Sequence, residues 1–120
     1  MNIEELRLFC LEQKDATECL PFDEFTLVFK VMGKMFALIP LDEVCELKIC
    51  LKCDPEKAIE LREQYEAVTP AYHFNKKYWN TILPNRDMND DLVKKWILHS
   101  IDEVVKKLPK KQRDAYRLKD

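Results

Sequence analysis

Gly33 is the only glycine in the 120 residues. Phosphate-cradling loops of the GxGxxG or Walker type need several glycines so that a phosphate can approach the main chain, and one glycine excludes both. Also missing is any run near the ~20 apolar residues of a membrane-spanning helix. The opening residues, MNIEELRLFC, carry acids where an export signal carries lysines. These absences lead to the expectation of a cytoplasmic protein with no membrane contact. The cysteines are five (Cys10, Cys19, Cys45, Cys50, Cys53), an odd count, and without an export signal reduced thiols are the default.

The inventory for catalysis and metal binding is equally thin. His73 and His99 are the only histidines, and neither has a serine or cysteine partner at a recognisable elbow. Cys50-x-x-Cys53 is the one paired-cysteine motif, but residues three apart on a strand point to opposite faces. With no second pair, a tetrahedral zinc site has no four ligands. Adjacent acids such as Asp23/Glu24 and Asp90/Asp91 suit caps and solvated loops. No catalytic group, metal or cofactor is expected, and the chain reads as a non-enzymatic binding module.

What is present is a single-domain length with 47% hydrophobic and 35% charged residues, the balance of a globular chain and not of a disordered one. The net charge of −2 conceals a division. Residues 1–60 hold 7 basic against 13 acidic side chains; residues 61–120 hold 13 against 9. A chain this near neutrality is no bulk polyanion binder, but it can present one basic face.

The patterning predicts an α+β domain. Asn2 suits the cap of a first helix with Leu6 and Cys10 on its inner side. KDATECLPFDEF reads as a loop around Pro21. From Thr26 the period changes to two, with Leu27, Phe29 and Val31 on one face, and Gly33-Lys34 supplies a tight hairpin turn. A strand from Met35 to about Leu41, a short turn at 41–43 and a half-solvated strand in ELKICLKC follow. Asp54-Pro55-Glu56 starts a helix. Tyr72/Phe74 against His73/Asn75 again alternate, so a second hairpin is predicted, turning at Asn75-Lys76-Lys77 and returning from Trp79 to Leu83. A long helix from about Asn89 to Leu108 stops at Pro109, leaving a basic tail. The order α-βββ-α-ββ-α predicts a two-layer domain, an antiparallel sheet with helices on one face.

The runs FKVMGKMFAL, LKCDPEKAIELREQY, VTPAYHFNKKYWNTI and WILHSIDEVVKKLPKKQR together resemble the MmcQ/YjbR family of small bacterial proteins, over nearly the whole chain. The Lys-Cys-Asp-Pro junction and His-Phe-Asn-Lys-Lys-Tyr-Trp-Asn are the most specific of these signals. The resemblance implies a CyaY-like, or secretion-chaperone-like, fold. It also implies DNA binding, through a pair of wing-like hairpins.

The residues offer a matching site. In His73, Asn75, Lys76, Lys77 and Trp79, lysines at a hairpin tip can meet phosphate, an indole can stack on a base and an asparagine can read a base edge. The plain alternative is that Trp79 plugs the core, Asn75 makes the turn and the lysines are solvated. Lys52, just before the helix at Asp54, can hold an anion against free amides, unless Asp54 itself satisfies them. Lys110, Lys111 and Arg113 in the tail extend the basic surface, or are simply a solvated helix end. Nucleic-acid contact by a monomer is the first expectation. The alternative is a protein- or peptide-interaction module that docks its partner on the sheet face or edge. A third is a small-ligand cleft beside Trp79.

Overall fold

In the computed structural model, which describes residues 1–41, 46–72 and 74–119, three of the four helices begin at a side chain that takes up their free amides. Asn2 accepts from the Glu5 N–H at 2.9 Å and opens α1 (Ile3–Leu11), while Glu5 reaches back to the Asn2 N–H. Asp54 accepts from the amides of Glu56 and Lys57, both at 3.2 Å, ahead of Pro55 and α2 (Pro55–Gln64). Asn89 accepts from Leu92 N–H at 2.9 Å at the start of α3 (Asp90–Lys106). Pro109 offers no such group to α4 (Lys110–Leu118), so that helix depends on packing through Tyr116.

Six strands form one sheet in the order β1-β2-β3-β4-β6-β5, every neighbour antiparallel. They are β1 (Ala16–Cys19), β2 (Thr26–Val31), β3 (Lys34–Pro40), β4 (Ile49–Lys52), β5 (Val68–Pro70) and β6 (Trp79–Ile82). The α+β class with an antiparallel sheet is as expected, with one strand more in the stretch read as a loop and the basic tail coiled into α4. The β2–β3 turn is Met32-Gly33, one residue earlier than the sequence suggests. Both have positive φ, 50° and 74°, the twist that suits a two-residue hairpin.

A bulge follows this turn. Phe29 faces Ala37 but Lys30 faces Met35, so Phe36 is left out of the ladder. Phe36 and Ala37 both join the core beneath the helices. There Phe29, Ile39, Ile49, Leu51 and Ile82 of the sheet meet Leu6, Cys10, Val93, Ile97 and Val104. The opposite face is covered only in part, by Trp79, Ala71, Phe74 and Tyr78 over Val28 and Leu38. Among the described residues no helix is long and apolar enough to cross a membrane.

Ser100 of α3 sits where the bulge opens the sheet. Its hydroxyl donates to the Phe36 carbonyl at 2.6 Å and accepts from the Lys52 N–H at 2.9 Å, and its residue is wholly buried. Ser100→Ala strands two buried backbone groups, so a loss of about 1–3 kcal/mol is expected. Urea unfolding checks this, and an unchanged midpoint would show that the bridge contributes nothing.

Candidate nucleic-acid interface

Residues 74–78 form a pinned loop and not the tip of a symmetric hairpin. The alternation in the sequence promises a strand at Tyr72–Phe74, yet the strand that pairs with β6 is Val68–Pro70. Asn75 organises the loop: its carbonyl accepts from the amides of Tyr78 and Trp79, both at 3.0 Å, and its Oδ1 accepts from the Lys77 N–H at 3.1 Å. Arg62 of α2 ties it down by donating to the carbonyls of Lys76 and Trp79 and to Asn80 Oδ1. Asn80 is buried and donates to the Ala58 carbonyl at 3.3 Å. Asn75 is exposed, and of its side-chain atoms Oδ1 is taken up by the turn.

Trp79 departs from the expected role. It is 9% exposed and its ring packs on Phe74, 5.5 Å between centroids. The alternating pattern correctly places Trp79 on one face but cannot say that the loop folds back over that face. A buried indole cannot stack on a base, and Phe74 packs against it. His73 lies outside the described residues.

The lysines are held apart by different rings. Lys76 Nζ lies 4.9 Å from the centroid of Tyr72. Lys77 Nζ is 5.5 Å from Tyr78, and Lys107, one residue past the end of α3, places its own Nζ 4.3 Å from the same ring. Lys52 pairs with Trp79 across β4 and β6, next to Tyr78, whose carbonyl accepts from the Cys53 N–H at 2.7 Å. Partial burial lowers the pKa of Lys52, and the ammonium groups of Lys107 and Lys106 lower it further against the opposing pull of Glu103. Lys106 is partnered by the buried Glu103. Lys77 and Lys107 therefore share the Tyr78 ring, and Lys52 lies close enough to Lys107 to feel its charge. Tyr78 was not among the site residues expected from sequence, and Lys107 was expected only as one of the cations of the basic tail; the meeting of that cation with the Tyr78 ring had no signal in the sequence.

Two other anticipated contributors are already engaged. Asp54 satisfies the first amides of α2, so no free helix N-terminus faces Lys52. Arg113 folds back on the end of α3, its Nη1 3.4 Å from the Lys106 carbonyl. Lys110 and Lys111 remain exposed on the first turn of α4. The two thiols of Cys50-x-x-Cys53 do lie on opposite sides. Cys50 meets Thr81 on the outer face at 3.4 Å, and Cys53 belongs to the inner core, its pKa pushed up to about 12 by burial and then by Asp54 and Glu103. Neither favours a thiolate.

The model of the YjbR family matches residues 11–102. The chain belongs to the YjbR family. The uncharacterized protein YbdF of Escherichia coli O157:H7 is 32% identical over 118 residues, covering 95% of this chain and 93% of YbdF. The uncharacterized protein YjbR of Escherichia coli K12 is 29% identical over 113 residues, with 94% and 95% covered. Among solved structures, a Deinococcus radiodurans protein with the domain DUF419 superposes with a TM-score of 0.87 at 35% identity, over 99% of this chain and 90% of its own. A Pseudomonas syringae protein gives 0.71 at 26% identity, over 83% and 96%. The antiparallel α+β fold is thus that of the YjbR family.

His99 secures the segment that carries Lys52. Its Nε2 accepts from the Asp54 N–H at 3.1 Å, and its ring lies edge to face with Trp96, 5.0 Å between centroids. Burial lowers its pKa below the ordinary 6.5, with Lys57 acting the same way and Glu103, Asp54 and Asp102 opposing. A depressed folded pKa means the unfolded chain binds the proton first, so this contribution is intact above pH ~6.5 and is lost as pH falls toward the folded value. Unfolding free energy is expected to drop between about pH 7 and pH 5. His99→Gln, which keeps an acceptor but cannot titrate, should flatten that slope, and an unaltered slope would assign the effect to other groups.

Proposed function

We propose that this YjbR-family chain is a non-enzymatic module that binds a polyanion, the phosphate backbone of nucleic acid, through Lys52, Lys77 and Lys107 around Tyr78. Lys110 and Lys111 extend the surface. The observation that carries this reading is the sharing of one tyrosine ring by two ammonium groups with a third, half-buried lysine beside it. Packing holds these charges at one end of the sheet in spite of their mutual repulsion, and a phosphate placed among them relieves it. Contact by lysine point charges positions a backbone and does not read bases, which agrees with the burial of Trp79.

Fluorescence anisotropy with a duplex, from about 50 to 200 mM salt, tests the reading, since each lysine neutralised on B-DNA adds about −0.9 to the slope of log K against log salt. Replacing Lys52 and Lys107 together by glutamine should make the slope shallower by about 1.8. Trp79→Phe should leave it unchanged. Binding that is absent at about 50 mM, or insensitive to salt, overturns the proposal.

A further inference from the structure

The end of the sheet opposite Tyr78 has a different chemistry. Leu20, Phe22, Phe25 and Leu41 are 49%, 66%, 50% and 41% exposed. Leu20 follows β1, Phe25 precedes β2 and Leu41 follows β3, which places three of them at neighbouring strand ends. Local bonds set their arrangement: the Phe25 N–H donates to Asp23 Oδ1 at 2.8 Å, and the Leu41 N–H donates to the Phe25 carbonyl at 2.6 Å. Large apolar side chains grouped at a surface mark interaction sites, whereas single exposed ones do not.

The patch is continuous with an open strand edge. β1 is the terminal strand of the sheet, and its sequence Ala-Thr-Glu-Cys has neither the lysine nor the proline that usually protects an edge. Glu18 points its carboxylate at Arg7, bonded at 2.8 and 2.5 Å, and is not spent on shielding. The opposite edge, β5, is three residues long and ends in Pro70, so β1 is the better template for a further strand.

Charge selects the occupant. Asp23 and Glu24 are exposed within the patch, and residues 1–25 carry seven carboxylates against two basic groups. Nucleic acid is repelled by this end. A second copy paired edge to edge would bring two acidic 1–25 segments of the same sign together. A segment that is apolar and basic satisfies both features.

We propose that the outer edge of β1 together with Leu20, Phe22, Phe25 and Leu41 forms a docking surface for an extended segment of a partner protein that alternates apolar with lysine or arginine side chains. The segment adds a strand by main-chain bonds, lays its apolar side chains on the phenylalanines and meets Asp23 and Glu24 with its cations. This surface is independent of the polyanion site and stands if that site fails.

The test uses the isotope-labelled full chain titrated with a short synthetic peptide of alternating valine and lysine, and with its valine–glutamate counterpart, followed by amide chemical shifts. Shifts confined to residues 17–25 and 41, with the lysine peptide bound at least about tenfold more tightly, support the proposal. Replacing Phe22 and Phe25 together by serine should weaken that binding by about tenfold and leave duplex affinity unaltered. Equal affinity for the two peptides, no binding of either, or shifts elsewhere overturn it. So does sedimentation showing a dimer that the two serine substitutions dissolve, because the occupant is then a second copy.

Discussion

One buried hydroxyl joins the two layers at the point where the sheet is interrupted. The bulge at Phe36 lets two successive core residues face the helices, and the Phe36 carbonyl and the Lys52 amide lie just past the last β3–β4 pair, Ala37 with Leu51. Ser100 bonds to both from α3. The bond to Lys52 holds the end of β4 against α3, and the bond from Asp54 to His99 holds the next residues one step further. The position of Lys52 relative to Lys107, and therefore the basic cluster around Tyr78, depends on this stitching.

The sheet separates the two kinds of surface. Antiparallel pairing puts the ends of β4 and α3 and the loop before β6 at one end, and collects their lysines there. The same pairing puts the loops after β1 and β3 at the other end, where exposed leucines and phenylalanines meet acids. A net charge of −2 averages over the two ends and describes neither.

Much of the architecture was legible from short spans of residues. Asn2, Asp54 and Asn89 were recognisable as caps or helix starts because each bonds amides no more than three residues ahead. The strands Thr26–Val31 and Ile49–Lys52 showed their faces by alternation. Gly33 marked its turn because few residues accept positive φ, although the neighbouring Met32 accepts it too. β1 was not legible: four residues with little apolar patterning become a strand only because β2 offers an edge. The alternation in 70–75 was misleading for a related reason, since Arg62 and Asn75 hold residues 74–78 as a loop and Phe74 closes over Trp79.

The residues alone therefore determined the class of fold, the helix starts and the faces of the longer strands, since these follow from backbone bonds and periodicities within a few positions. Tertiary structure decided which aromatic rings are buried and which lysines become neighbours. Tyr78 and Lys107 meet only because a loop and the end of a helix reach the same edge of the sheet, and no local rule of spacing records a contact made that far along the chain.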